Sequence, residues 1–525
     1  MRMIRQWRSM AGTSVALLLL MSCSLRVKVR EEWDTSSRGP IPLGEVTRTW
    51  VDLKQGRAPS AADLAAYNTA VRNSVAQIAD RWASNEGHVT LIKTTNGEVR
   101  LRLNSINLSD LDLAEEMVPA DFVKVRRGLR SESVVAGVGA SLIIRQPKTE
   151  SDPMIPETGI WTPVTALLNL DRPDAPVLDL IDTGSRGTIS FAGTEFPLAA
   201  NYTAAFARDF QDRQFQFKSV GALLRFEEYA DRIGLYRVTP FHPDKEPIIF
   251  IHGINSSPST WNEVLNRLYG DEAIRDRYEF WTFGYPTGAP IPYMAAEYRE
   301  AIREMLAFRR GRGAATSRIT VVGHSMGGLL SKAMTLSSGD KEWNRLFRVP
   351  IGELDVSSDD RETLRNMIYF QPIPEIRRVL FCATPHRGSK IVEHPAAKLV
   401  GDLIQVPTQL LLLSTEIITK SAHALTPAGL EFARDSRTSI DQLSGEAWTT
   451  AEFLNKPLNP AVTYHSLIGI KRGPEVPFEE TGDGVIPYTS AHIEGVASEL
   501  VVKPSQHTVH HTDRGIEEIR RILID

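Results

Sequence analysis

One serine of the chain has the surroundings of a catalytic nucleophile. Gly323 and Gly327 flank Ser325, and residues 319–322 before them are all β-branched, as in a buried strand. This pattern predicts a sharp strand-to-helix turn with the serine at its apex, because glycine is needed where a Cβ would clash. A hydroxyl exposed at such a turn can attack a carbonyl carbon.

Attack on a carbonyl also needs two backbone N–H groups that stabilise the negative charge on its oxygen. Residues 247–251 form an apolar run typical of a buried parallel strand, and they lead directly into His252 and Gly253. The candidate N–H groups belong to Ile254, at this strand end, and to Met326, which follows the nucleophile. The alternative for His252 and Gly253 is an ordinary strand-to-helix turn.

An aspartate and a histidine follow Ser325 in the chain order that a nucleophile of this kind requires. Asp483 lies between glycines after a predicted strand at 462–468, and His507 follows a predicted strand at 498–502. His507 could take the serine proton as general base, with Asp483 fixing its tautomer and stabilising the imidazolium. The alternative for Asp483 is a turn residue that caps its own backbone.

Two further histidines, His510 and His511, compete with His507 for the role of base. They lie nearer the predicted start of the last helix, at Thr512 or Asp513, where the helix dipole disfavours a protonated imidazole. His507 is therefore the predicted base. The three histidines lack cysteine partners or a metal-binding helix motif, so the sequence predicts no metal and no cofactor.

Four blocks of the sequence together resemble the α/β-hydrolase superfamily, of the lipase and carboxylesterase type found in bacterial lipases and GPI inositol-deacylase-like proteins. These blocks are residues 251–254, 323–328, 383–389 and 482–487. The resemblance implies a doubly wound, mostly parallel α/β sheet with cap insertions. It also implies a triad of Ser325, Asp483 and His507, an oxyanion hole at Ile254 and Met326, and hydrolysis of carboxylic esters, with lipid-like substrates expected.

Length and composition indicate a globular enzyme with more than one folding unit. The chain has 525 residues, 42% of them hydrophobic, and a formal net charge of −4, so nothing indicates a nucleic-acid partner. Because single cores rarely exceed about 250 to 300 residues, two domains are expected. We predict an α+β accessory domain at 59–238, opened by an amphipathic helix of about six turns from Leu64 to Trp82, and a catalytic domain at 239–525.

Residues 1–23 are typical of an export signal. Arginines precede an apolar stretch too short to span a bilayer, and its last residues, LLMSC at 19–23, resemble a bacterial lipobox. This predicts that Cys23 is lipidated and that the protein is anchored in the bacterial cell envelope, at the outer membrane or the periplasmic face. The alternative is an ordinary signal peptide with a chance cysteine. Residues 24–58, charged and without periodicity, are predicted to be a tether, and Cys382 a buried apolar residue.

Two insertions interrupt the strand and helix alternation of the catalytic domain. Residues 338–376 are charged with scattered aromatic residues, and residues 391–458 contain an apolar run at 403–406 and four leucines at 410–413. Enough apolar surface is present to cover an acyl-binding cleft as a lid, but ordinary core packing explains the leucines equally well.

Two other functions fit the same residues. An acyltransferase would pass the acyl group to an alcohol or lipid hydroxyl instead of water. A non-catalytic envelope protein would keep the scaffold for binding alone.

Overall fold

The computed structural model describes residues 26–33, 35–79, 89–106, 114–213, 218–314, 318–389, 392, 397, 400–435, 438–471, 477 and 481–525. The signal peptide with Cys23, and Trp82 at the predicted end of the first long helix, lie outside these residues.

The described strands are numbered along the chain: β1 Lys28–Glu31, β2 Val89–Thr94, β3 Gly97–Ile106, β4 Glu116–Pro119, β5 Val123–Arg127, β6 Val134–Val135, β7 Ala140–Gln146, β8 Ile160–Asn169, β9 Val177–Asp182, β10 Thr188–Phe191, β11 Thr194–Pro197, β12 Ala200–Asn201, β13 Gly234–Arg237, β14 Glu246–Ile251, β15 Tyr278–Gly284, β16 Ile319–His324, β17 Ile376–Cys382, β18 Thr463–Gly469 and β19 Ser498–Val502. The described α-helices are α1 Leu43–Lys54, α2 Ala61–Ile78, α3 Tyr202–Arg213, α4 Ser219–Leu224, α5 Asn262–Gly270, α6 Glu272–Arg277, α7 Ile291–Gly311, α8 Met326–Ala333, α9 Asp340–Leu346, α10 Ser358–Ile368, α11 Thr408–Lys420, α12 Pro427–Asp435, α13 Ser439–Gln442, α14 Tyr488–Ala491 and α15 Asp513–Ile524.

A seven-stranded sheet forms the C-terminal part, in the order β13-β15-β14-β16-β17-β18-β19. All neighbours are parallel except β13 and β15, which are antiparallel. Alternate residues of β14 reach different cores: Ile249 and Ile251 pack with α7 and α8, whereas Ile248 and Phe250 pack with α5 and α15. Helices therefore cover both faces, which confirms the predicted doubly wound, mostly parallel fold.

The strand register brings several chain segments to one edge of this sheet. Ile251 pairs with Gly323, and His324 pairs with Cys382. Because these strands are parallel, their carboxyl ends lie side by side, and the loops that follow them meet there.

A second, six-stranded sheet lies in the N-terminal part, in the order β2-β3-β9-β8-β7-β4, with only β3 and β9 parallel. Helices α1 and α2 share its apolar core. We refer to the described residues from 26 to 213 as the N-terminal module. Its mixture of helices and mostly antiparallel strands is the α+β arrangement that the sequence predicts.

The prediction of a tether at 24–58 is wrong for the described residues from 26 onward. Strand β1 pairs with β5, and helix α1 is packed against α2. Leu43, Val46, Trp50 and Leu53 of α1 are buried. Their three- and four-residue spacing is that of an amphipathic helix. The charged residues between them make this spacing hard to recognise in the sequence.

The boundary predicted at residue 238 also needs correction, because β13 lies before it and yet belongs to the C-terminal sheet. The N-terminal module and the C-terminal sheet further share a core, since α3 packs on α5. Tyr269 of α5 contacts Tyr202 and Phe206 of α3, with ring centroids 5.5 and 5.1 Å apart.

The two predicted insertions contribute helices α9, α10, α11 and α12, which pack on one another and line a small apolar pocket. The leucine run of α11 divides between two faces. Leu410 and Leu413 are buried in this small core, whereas Leu411 and Leu412 are exposed. Core packing therefore accounts for Leu410 and Leu413, and the lid stays a prediction.

Candidate active site

The predicted strand-to-helix turn is present at Ser325. Strand β16 ends at His324, helix α8 begins at Met326, and Ser325 between them has φ 54° and ψ −124°. A Cβ at Gly327 would lie 2.5 Å from the carbonyl oxygens of Ile251 and His252. The glycine therefore permits the helix to approach the end of β14 as closely as it does.

The backbone of Ser325 is held in a conformation that a residue with a side chain rarely adopts. A positive φ at a non-glycine residue costs on the order of 1–3 kcal/mol, so surrounding contacts must maintain it. The Ser325 N–H donates to the carbonyl of Cys382 at 2.9 Å, and the Gly328 N–H donates to the Ser325 carbonyl at 2.9 Å. Only 4% of Ser325 is exposed.

The loop after β14 lies directly against the serine. A Cβ at Gly253 would be 2.7 Å from the Ser325 Cβ. His252 stacks on Tyr285 with ring centroids 4.4 Å apart, and the Tyr285 hydroxyl donates to the His252 carbonyl at 2.7 Å. Burial lowers the pKa of His252 to about 3, so its ring is neutral.

The two predicted oxyanion residues are chain neighbours of Gly253 and Ser325, which contact each other. Ile254 follows the close-packed Gly253, and Met326 is the first residue of α8. The N–H groups in the first turn of a helix have no partner within that helix, so the Met326 N–H is available to a ligand atom.

The predicted acid and base are hydrogen bonded to each other. Nδ1 of His507 lies 2.7 Å from Oδ2 of Asp483. The other carboxylate oxygen, Oδ1, accepts the N–H groups of Val485 and Ile486 at 2.8 and 2.7 Å. The turn-capping alternative for Asp483 is therefore also correct: one oxygen fixes the turn, and the other faces the histidine.

His507 contacts the turn that carries Ser325 through the side chain of His324. The rings of His324 and His507 are 4.8 Å apart, and Nε2 of His324 lies 3.1 Å from the His507 carbonyl oxygen. Among the described residues no hydrogen bond joins the Ser325 hydroxyl to His507. In enzymes without bound substrate such a bond is often long and tightens only in the complex.

Of the competing histidines, His510 is buried and His511 is partly buried, and both are occupied by other contacts. His510 is fully buried between Trp261 and His324, with ring centroids at 4.6 and 4.2 Å. Nε2 of His511 lies 2.7 Å from the carbonyl oxygen of Thr260. Burial lowers the pKa of both rings. Sequence reasoning missed this packing, because Thr260 and Trp261 lie about 250 residues away along the chain.

The block at 383–389 follows β17, the strand next to β16, and is hydrogen bonded to the segment that follows Asp483. The His386 N–H donates to the Ser490 carbonyl at 3.0 Å, and the Ser389 hydroxyl donates to the Val485 carbonyl at 2.8 Å. The block thus helps to fix the turn that carries Asp483. The motif gave no sign of this role, because its partners follow it by about a hundred residues.

A sequence model of the alpha/beta hydrolase family matches residues 248–521, slightly more than half of the chain. The chain belongs to the α/β-hydrolase family. The resemblance inferred from the four sequence blocks is thereby confirmed at the level of the family. No curated protein matches this α/β-hydrolase.

Solved structures similar to this α/β-hydrolase include lipases and a related protein. The mature form of Bacillus licheniformis lipase BlEst2 has 15% identity and a TM-score of 0.32, and the alignment covers 55% of this chain and 97% of that one. Lipase 1 from Pelosinus fermentans has 12% identity and a TM-score of 0.32, with 53% and 98% covered. A lipase-esterase related protein from Clostridium acetobutylicum has 10% identity and a TM-score of 0.26, with 55% and 98% covered.

Two general properties of the described residues bear on this α/β-hydrolase. None of their helices is both long enough and apolar enough to cross a membrane. Nor do the described side chains include a group of three or more His, Cys, Asp or Glu that could hold a metal ion.

Proposed function

We propose that this α/β-hydrolase is a serine hydrolase that cleaves carboxylic esters, with Ser325 as nucleophile, His507 as general base and Asp483 as its partner. The observation that carries the proposal is the 2.7 Å contact between His507 and Asp483 at the same sheet edge as the strained turn of Ser325. A histidine that donates from Nδ1 to a carboxylate keeps Nε2 free to accept a proton.

In the first half of the reaction, Ser325 Oγ attacks the ester carbonyl carbon and its proton passes to His507 Nε2. The N–H groups of Ile254 and Met326 donate to the resulting oxyanion. His507 then donates the proton to the departing alkoxide, so that an alcohol leaves and the acyl group remains on Ser325.

In the second half, water attacks the acyl-enzyme while His507 again takes a proton. Collapse of the second intermediate releases the carboxylic acid and returns the proton to Ser325. If an alcohol replaced water here, the same residues would perform acyl transfer.

Lipid-like esters are the proposed substrate class, on the basis of the resemblance to lipases and of the lipobox-like sequence that would place the enzyme at a membrane. A panel of p-nitrophenyl esters from short to long acyl chains, assayed on the protein from residue 24 onward, tests both the ester hydrolysis and the preference for lipid-like substrates. Turnover that rises with chain length supports the proposal, and the absence of turnover with any ester contradicts it.

We further propose that Cys23 is lipidated and anchors the enzyme in the bacterial envelope, on the basis of the lipobox-like sequence. Cys23→Ala is expected to move the protein out of the membrane fraction while leaving ester turnover unchanged. Mass spectrometry that finds an unmodified Cys23 in the mature protein would rule the anchor out.

A further inference from the structure

A short segment of the N-terminal module, Arg130 and Ser131, contacts α5 and the loop that carries His507. The N–H of Arg130 donates to Oε2 of Glu263 at 2.9 Å, and the hydroxyl of Ser131 donates to Oε1 at 3.0 Å. Glu263 lies on α5 and is only 1% exposed. Asn266, one turn later on α5, donates to the carbonyl of Ser131 at 2.9 Å. The segment is therefore fixed to α5 at several points.

The side chain of Arg130 then extends from this attachment to the loop after β19. Its guanidinium donates to the carbonyl of His511 and lies 3.9 Å from the carboxylate of Asp513, the first residue of α15. Arg267 of α5 pairs with the same carboxylate at 2.6 Å. Two cations, one from the N-terminal module and one from α5, thus pair with the start of the last helix at the protein surface, where 57% of the Arg130 side chain and 78% of the Asp513 side chain are exposed.

Packed rings continue from His511 to the catalytic histidine. His511 contacts His510 with centroids 4.1 Å apart, His510 contacts His324 at 4.2 Å, and His324 contacts His507 at 4.8 Å. Thr260, just before α5, accepts from His511 through its carbonyl oxygen. The positions of these rings therefore depend on one another and on α5.

The loop from 503 to 512 has little regular structure that could fix His507 by itself. It contains one short 3₁₀ turn, Val509–His511, before α15 begins. Such a loop is held by contacts from outside it, and a displacement of about 1 Å in a reacting group can cost about a hundredfold in rate. The contacts from outside the loop come from Asp483, from the Ile470 carbonyl after β18, from the nucleophile turn, from α5 and from Arg130.

We propose that Arg130 is a positioning residue for catalysis, and that the N-terminal module serves to hold the loop that presents His507 to Ser325. This inference rests on the proposed function, since it assigns His507 the role of base. Arg130 itself touches neither the serine nor the acid. It acts through His511 and the packed histidine rings.

The test compares Arg130→Ala and Arg130→Lys with a matched surface variant, Arg172→Ala. Arg172 lies in the same module, is 74% exposed, and pairs only with the exposed Asp174 among the described side chains. We expect Arg130→Ala to lower kcat about tenfold at unchanged KM, because base alignment and not substrate binding is lost. Arg130→Lys should recover part of kcat, since an ammonium group can still donate to the His511 carbonyl.

Each outcome decides the matter. Equal kcat for Arg130→Ala and Arg172→Ala, both measured below their melting temperatures, would overturn the inference. So would a rise in KM at constant kcat, or a loss in Arg130→Ala that Arg130→Lys does not relieve. Failure of the proposed function is separate, because it would appear as turnover in Ser325→Ala whatever Arg130 does.

Discussion

The two oxygens of the Asp483 carboxylate have different partners. Oδ2 lies 2.7 Å from Nδ1 of His507, while Oδ1 accepts two backbone N–H groups of its own turn. The turn therefore fixes the carboxylate, and the carboxylate fixes the histidine. This arrangement separates the structural role of the residue from its proposed catalytic role.

Asp483→Asn is expected to keep the fold and to lower kcat by about 10⁴-fold. The amide oxygen can still accept the turn N–H groups, but its amino group cannot stabilise an imidazolium and favours the wrong tautomer. Kinetics with a soluble ester and thermal melting measure the two effects. Asp360→Asn, which changes a half-buried carboxylate in the first turn of α10, is the control. Activity of Asp483→Asn within about tenfold of the wild type would remove the aspartate from the site.

His507→Ala and His510→Ala are expected to fail in different ways. The first should be about as inactive as Ser325→Ala, and the double variant should lose little more, because such residues act as a unit. His510→Ala removes a fully buried ring, so it should lose about 1–3 kcal/mol of stability while retaining far more turnover than His507→Ala. An inactive His510→Ala beside an active His507→Ala would move the base three residues along the loop.

Gly327→Ala should prevent the nucleophile turn from forming correctly. Its Cβ would lie 2.5 Å from two backbone carbonyl oxygens, and neither strand nor helix can easily yield. We expect a loss of several kcal/mol in stability, on the order of other overpacked core sites, together with loss of activity. Gly311→Ala, at the end of α7 with no atom near the added Cβ, should be neutral or slightly stabilising. Similar stability of the two variants would contradict the close packing described for the turn.

Stability should fall as pH falls from about 6.5 towards 3, in part because of His252. Burial lowers the pKa of His252 to about 3, against 6.5 for a free imidazole, so the unfolded chain binds more protons in this window. His252→Phe keeps the stack on Tyr285 and removes the titration. Denaturant unfolding between pH 4 and 6 should show a slope smaller by about 1.4 kcal/mol per pH unit in the variant. Burial raises the pKa of Asp182 to about 6, so this residue makes stability rise as pH falls. Its contribution is the same in the wild type and in the variant, so it cancels when their slopes are compared. Equal slopes would mean that His252 is not buried as described.

The parts of the site that the sequence predicted well are those determined locally. The glycines near Ser325 indicate a turn with no room for a Cβ, and the glycines beside Asp483 indicate a loop. Strand and helix periodicity gave the alternation that places both at one sheet edge. The family resemblance then supplied the order of the residues, which local patterns do not contain.

The parts that the sequence did not predict depend on distant partners. The packing of His510 on Trp261, and the contact of Arg130 with the His511 carbonyl, join segments hundreds of residues apart. The sequence predicts a tether where helix α1 lies, because the apolar face of α1 is recognisable only from its packing against α2. The sequence also places the domain boundary after β13, because the four residues of this edge strand do not show that it pairs with β15.

The most direct test of the central claim is covalent labelling by a fluorophosphonate, followed by peptide mass spectrometry. The probe reacts with a serine only where a base and an oxyanion site activate it. We predict stoichiometric labelling on the peptide that contains Ser325, none in Ser325→Ala, and strongly slowed labelling in His507→Ala. Ester turnover should fall in proportion to the fraction of the protein that is labelled. Labelling at another residue, or undiminished ester turnover in a fully folded Ser325→Ala protein, would contradict the account.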